Sequence, residues 1–172
     1  IGLADNKSPP ELLEDALGAP PDAAIVQQAV DRRTTWNDQM VMNPGVQAVI
    51  EVARNAAIPL AVASSSPTDW VEPHLDRLGL LHHFVAVRTR DHVDRGKPAP
   101  DLFLSAAAAV GVDPTTCLAI EDSKHGCAAA KAAGMTCVVV PNRITVLDQP
   151  ADADLLLESL DAFPYARFGL AR

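Results

Sequence analysis

Glu121 and Asp122 stand side by side at the end of an apolar run, Cys117-Leu118-Ala119-Ile120, and are followed by Ser123. Two like charges at a buried strand end repel, and are costly unless something positive lies between them. Mg²⁺ suits such a place, because it takes oxygen ligands and is commonly held by one or two carboxylates together with phosphate oxygens. The same residues could instead cap a following helix through Asp122 or Ser123. A second run, Gly96-Lys97-Pro98-Ala99-Pro100-Asp101, uses two prolines to stiffen a loop that presents one lysine. An ammonium fixed about 4 Å from a phosphoryl group is worth roughly 4 kcal/mol at an effective dielectric near 20. Asp101 would either hold that lysine or cap the next helix. The third run, Ser64-Ser65-Ser66, follows Leu60-Ala61-Val62-Ala63 directly. Hydroxyls and backbone N–H groups at a strand end suit a phosphate oxygen. Ser66 before Pro67 also reads as a helix start.

These runs do chemistry only if strand ends bring them together. The pattern predicts helix 46–56, strand 59–63, helix 68–78, strand 84–87, helix 101–110, strand 117–120, helix 123–133 and strand 136–140, with a candidate last strand at 155–157. Short apolar, β-branched runs that alternate with helices predict an α/β fold, a Rossmann-like doubly wound parallel sheet covered by helices. Ligands in such sheets bind beyond the carboxyl ends of the strands, which is where all three runs fall. Residues 1–43 are different. They hold Pro9-Pro10 and Pro20-Pro21-Asp22, then a run over 23–40 with apolar residues at helical spacing.

The chain has 172 residues, enough for one substantial core and a small satellite, and its 48% hydrophobic and 21% charged content is that of an ordinary globular protein. A net charge of -8, with no basic cluster larger than Arg32-Arg33, argues against a nucleic-acid surface. No apolar run approaches a membrane span, and no signal peptide opens the chain, so a cytoplasmic location without a membrane partner is expected. Cys117, Cys127 and Cys137 match no metal-ligand or Cys-x-x-Cys spacing and are expected as small core residues in a reducing compartment. His82, His83 and His125 lack a second ligand at metal spacing and are left out of the site. No Gly-x-Gly-x-x-Gly follows a predicted strand, which removes a dinucleotide-binding reading.

In their order along the chain, Leu60-Ala61-Val62-Ala63-Ser64 resembles motif II of the haloacid dehalogenase superfamily, Gly96-Lys97-Pro98-Ala99-Pro100-Asp101 resembles motif III, and Ile120-Glu121-Asp122-Ser123 resembles motif IV. The resemblance runs from about residue 45 to the end and is greatest to the phosphatase and β-phosphoglucomutase branch. It implies that Ser64, with Ser65, binds the transferring phosphoryl group, that Lys97 neutralises it, that Asp101 supports Lys97, and that Glu121 and Asp122 hold Mg²⁺. It implies that residues 1–43 are a partial helical cap, in which Arg33 beside Arg32 reads the substrate, and that 44–172 are the α/β core.

The family's first motif, Asp-x-Asp after an apolar strand, has no counterpart here. Asp152-Ala153-Asp154 precedes its apolar run instead of following one. In this fold the strand of that motif lies between those of motifs II and IV, so two apolar edges would otherwise go unpaired. An upstream segment of roughly 50 residues, one strand and the first cap helices, is therefore expected. The activity implied is Mg²⁺-dependent hydrolysis of a small phosphorylated metabolite through an aspartyl-phosphate, with the nucleophile outside these 172 residues. The alternatives are a sugar phosphomutase, a metal-free dehalogenase, and a non-catalytic module that binds Mg²⁺ or phosphate. Substrate identity and oligomeric state stay open.

Overall fold

A computed structural model of the chain describes residues 14, 15, 17–39 and 41–171, with the side chains of 33–38 outside the described set. The stretch 1–13 and the side chain of Arg33 therefore lie outside the described residues. By contact the chain divides into two compact units, one over 43–171 and one that contains the described residues up to 42.

The smaller unit carries helix α1, Ala23–Asp38. Asp22 starts it, its carboxylate accepting the Ala24 N–H at 2.7 Å, and Gln27 donates to Asp31 one turn on at 2.8 Å. Ile25 is 61% exposed and Val30 is also exposed, so among the described side chains of the helix the apolar spacing read from the sequence makes no buried face.

In the larger unit, helix and strand alternate as the sequence predicts. The order is α2 Val46–Asn55, β1 Ala61–Ala63, α3 Thr68–Arg77, β2 Ala86–Arg88, α4 Asp101–Val110, β3 Leu118–Glu121, α5 Lys124–Ala132, β4 Thr136–Val139 and β5 Leu155–Leu156. The predicted strand over 117–120 is displaced by one residue, which makes Glu121 the last strand residue rather than the first after it. All pairings are parallel: β1 with β2, and β3 with β4 with β5. They form two sheets, and among the described residues no strand joins β1 to β3.

Strand β4 explains why the fold holds. Successive side chains on a strand point to opposite faces. Cys137 and Val139 pack with Cys127, Ala129 and Ala130 of α5, Ala119 of β3, and Phe103 and Ala107 of α4. Val138 points the other way, into a cluster with Val52 of α2, Leu160, Phe163 and Tyr165. A strand buried on both faces needs a continuous apolar run, which Cys137-Val138-Val139 supplies. Cys127 and Cys137 thus serve as core residues, as expected, while Cys117 is half-buried. Gly45 sits at the start of α2 with φ of 84°, and a Cβ there would run into the backbone of Leu160 and Asp161. Its absence lets α2 close on the turn at Leu160–Ala162. No described helix is long and apolar enough to cross a membrane.

Leu102 of α4 has no exposed surface, whereas Leu147 is 93% exposed. In urea unfolding, Leu102→Ala should lower stability by about 2–5 kcal/mol at unchanged m-value, and Leu147→Ala by less than about 0.5 kcal/mol.

Candidate active site

The carboxyl ends of β1 and β3 are tied together by one side chain. Lys97, on the loop before α4, donates from Nζ to the carbonyl of Ala63, the last residue of β1, at 3.0 Å. The same ammonium pairs with Oε1 of Glu121, the last residue of β3. It also lies 4.6 Å from the centre of the Phe103 ring, whose face attracts a cation. The peptide bond between Lys97 and Pro98 is cis. The two charged side chains are only 10% and 7% exposed. A buried pair of this kind persists only if its remaining polar atoms are also satisfied. Glu121 meets that demand, its Oε2 accepting the Asp122 N–H at 3.1 Å and the Ser123 hydroxyl at 3.3 Å.

Room for this carboxylate comes from Gly126, in the first turn of α5. A Cβ there would overlap Oε1, Oε2 and Cδ of Glu121. Ser123 completes the arrangement, capping α5 by accepting the Gly126 N–H at 3.0 Å while it donates to Glu121. The cap and the metal-site readings of this run are therefore not exclusive: Ser123 caps the helix, and Asp122 does not. Gly126 could have been suspected from the sequence only as a glycine inside an alanine-rich helix, where it costs helix propensity and so asks for a packing reason.

Asp122 is exposed and points elsewhere, its Oδ2 accepting from Nδ2 of Asn142 at 2.6 Å. Its carboxyl is pushed above the usual carboxylate range, first by the poor solvation of the strand end and then by the charge of Glu121, while Lys97 and the Asn142 hydrogen bond act in the opposite direction. Asp101 takes neither of the roles read from its position. It receives the Arg95 guanidinium, from Nε at 3.3 Å and Nη2 at 3.1 Å, and the lysine is held by Glu121 instead.

Ser64 continues directly from β1, its N–H donating to the Arg88 carbonyl at 2.8 Å. Its Oγ accepts the Ser66 N–H at 3.1 Å, which fixes the turn and leaves the hydroxyl proton to donate to a ligand. Ser65 is exposed at the same turn. Helix α3 begins without a side-chain cap of its own. Its first N–H, that of Thr68, goes to Asp91 Oδ2 at 2.7 Å, and this bond is the main reason the Asp91 carboxyl sits below the usual range. Beside it, fully buried Thr89 joins Thr68 Oγ1 at 2.7 Å and His92 Nδ1 at 2.9 Å. This knot locks the end of β2 to the serine turn. The sequence reading missed it, though Thr89-x-x-His92 has the spacing of a capping box.

Among the described residues there is no group of three or more His, Cys, Asp or Glu able to hold a metal by themselves. The strand end still fits Mg²⁺, which keeps several waters and needs only one or two carboxylates. Asp122 offers an oxygen not engaged by Asn142, whereas both oxygens of Glu121 are engaged by Lys97, the Asp122 N–H and Ser123. A groove of about 880 Å³ over α3 is a poorer phosphate site. Asp69, Glu72, Asp76 and Asp91 line it against the single cation Arg90.

Several known proteins are similar to this chain. A family described as "Hydrolase: haloacid dehalogenase-like hydrolase" matches residues 6–134. The chain is 39% identical over 161 residues to YhcW of Bacillus subtilis (strain 168), named as a phosphatase, a match that covers 93% of this chain and 73% of that one. It is 49% identical over 82 residues to fructose-1-phosphate phosphatase YqaB of Escherichia coli (strain K12), covering 48% of this chain and 44% of the relative. Among solved structures, it is similar to CbbY from Rhodobacter sphaeroides in complex with phosphate, with 32% identity and a TM-score of 0.74 over 85% of this chain and 68% of that one. A hydrolase from Deinococcus radiodurans R1 with bound phosphate and sodium aligns at 25% identity and a TM-score of 0.76, over 93% of this chain and 74% of that one. The chain spans under half the length of YqaB and about two thirds to three quarters of the others.

Two outcomes test the site. Gly126→Ala should drive Glu121 off Lys97 and destabilise the fold by about 3–5 kcal/mol, the range for breaking a buried pair; an unchanged melting midpoint would contradict the packing described. Asp122 has a raised folded-state pKa, so its contribution to stability is fully present below its unfolded pKa and is lost as pH rises through the folded value. Asp122→Asn should therefore melt higher than wild type at pH 7 without divalent cations, and the gap should close as pH falls towards 4.

Proposed function

The chain belongs to the haloacid dehalogenase-like hydrolases, and from that membership we propose that the protein hydrolyses phosphate monoesters of small metabolites with the help of Mg²⁺. The observation that carries the reading is the Lys97 ammonium held at the carboxyl ends of β1 and β3 at once, within a family whose members include named phosphatases. In this proposal the phosphoryl group sits between Ser64 and Lys97. The Ser64 hydroxyl and the Ser65 backbone N–H bind its oxygens, and Lys97 offsets charge that builds on them during transfer. Asp122 holds Mg²⁺, which when bound supplies further positive charge to the phosphoryl oxygens. The buried Glu121, expected from the sequence beside Asp122 on the metal, instead aims Lys97.

The nucleophile is proposed to be an aspartate on a further strand between β1 and β3. Supporting this are the two edges without a partner strand among the described residues, and Ile120, 39% exposed in the middle of β3. The carboxylate attacks phosphorus, the ester P–O bond breaks, and the departing alcohol takes up a proton. Water then cleaves the acyl phosphate to inorganic phosphate and the free carboxylate. Residues 1–43 are proposed as part of a cap that excludes water from this step, with Arg33 on its substrate side and Asp101 fixing Arg95 at the edge of the lysine loop. The unpaired cysteines, two of them buried, suit a reducing cytoplasm. A phosphomutase is the second reading, favoured by likeness to a Thermotoga maritima structure named as a β-phosphoglucomutase, at 28% identity and a TM-score of 0.70.

The test is release of inorganic phosphate from a panel of sugar phosphates and nucleoside monophosphates by the full-length protein that carries these residues. Release should require Mg²⁺ and stop with a chelator. Lys97→Ala should lower kcat by at least about 100-fold, the scale for removing one charge-stabilising donor. No release from any member of the panel would refute the hydrolase reading, and transfer between two positions of one sugar would install the mutase instead.

A further inference from the structure

We propose that Asn142, two residues beyond the last strand bond of β4, is a positioning residue that decides which oxygen of Asp122 faces the metal. The inference rests on the Mg²⁺ reading of the strand end given above and extends it to a residue outside the three sequence motifs. Asn142 Nδ2 donates to Asp122 Oδ2 at 2.6 Å. Which end of an amide faces a partner is ordinarily ambiguous, because oxygen and nitrogen are so alike. Here it is fixed by the other end. Asn142 Oδ1 accepts two backbone N–H groups, from Ile144 at 2.7 Å and Thr145 at 3.1 Å, so it must be the oxygen that points into the turn. The backbone N–H of Asn142 is held as well, donating to Thr145 Oγ1 at 3.0 Å.

The whole residue is therefore clamped before it reaches Asp122. Its base is clamped too, since the Val140 N–H donates to the Glu121 carbonyl at 2.7 Å and sets the distance between the ends of β3 and β4. The ion pair of Lys124 with Asp148 at 3.2 Å bridges the far side of the turn to α5, but both side chains are well exposed and it adds little. A carboxylate on an exposed strand end would otherwise rotate freely. With Oδ2 committed to Asn142, Oδ1 is the oxygen left to a cation, and no rotational freedom has to be lost when the ion arrives. Hydrogen bonds to metal-binding carboxylates of this kind are typically worth 10–100-fold in metal affinity or activity.

The test separates this role from simple support of the turn. Asn142→Ser retains a side-chain oxygen able to accept the backbone N–H two residues on, and so preserves the turn, but cannot reach Asp122. In the full-length protein, calorimetry with Mg²⁺ alone should show a Kd raised 10–100-fold for Asn142→Ser. The Mg²⁺ concentration for half-maximal phosphate release should rise in parallel, with kcat at saturating Mg²⁺ within about threefold of wild type. Asn142→Ala must reproduce the loss of affinity. Thr145→Ala, which weakens the turn but leaves the amide on Asp122, should lower the melting temperature without changing Mg²⁺ affinity. Wild-type affinity in Asn142→Ser, or an equal loss in Thr145→Ala, would overturn the proposal. Failure of wild type itself to bind Mg²⁺ would sink it together with the metal reading on which it rests.

Discussion

A buried charge must find its opposite, and in this protein that demand organises the strand ends. Glu121 is the last residue of β3 and 9% exposed, so its carboxylate cannot be left to water. Lys97 answers it from the loop before α4, and to reach it the lysine passes the end of β1 and bonds the Ala63 carbonyl on the way. One ion pair therefore fixes the mutual position of two strands that share no backbone ladder. The accommodating features follow: a glycine in α5 to make room for the carboxylate, a serine that caps the helix and bonds the acid, and an aromatic ring beneath the ammonium. Each solves a problem that the buried pair creates.

The same demand divides labour between neighbouring acids. Glu121 is turned inward and committed, whereas Asp122 is turned outward with one oxygen uncommitted. Alternation along a strand and its continuation puts adjacent side chains on opposite sides, so the pair of carboxylates reads as a single acidic point only in one dimension. At the end of β1, the serine turn is fixed from within by the Ser64–Ser66 bond and stiffened from behind by Thr89, Thr68 and Asp91. Rigid support from outside leaves Ser64 and Ser65 with polar groups to present.

What the sequence made legible was periodicity. Helix 101–110 was placed to the residue, and the parallel order of strands followed from apolar runs separated by helices. Motif spacing likewise singled out Ser64, Lys97, Glu121 and Asp122, of which the structure pairs Lys97 and Glu121 across the ends of β1 and β3. Partnerships were not legible, because they depend on which of several acids lies within reach in three dimensions. Asp101, four residues from Lys97, was the natural local candidate to hold it, yet the holder is 24 residues away and Asp101 binds Arg95. Asn142 and Thr89 went unnoticed for the same reason: a turn asparagine and a strand-end threonine are common in loops, and only their contacts distinguish them. The helix over 23–38 formed as its periodicity predicts, while its apolar positions Ile25 and Val30 stayed exposed, since spacing specifies a stripe but not what covers it.

The two anchors of Lys97 differ in how sequence drift can reach them. Glu121 is a side chain, and a single codon change removes it. The Ala63 carbonyl is main chain, present whatever residue occupies position 63. The lysine's hold on β1 therefore places no demand of its own on side-chain identity there, whereas position 121 and the glycine at 126 are bound to one another, each admitting change only if the other changes with it. Divergence within this scaffold should accordingly stall as a linked pair across the start of α5, while the anchor on β1 survives any substitution that keeps the strand's path.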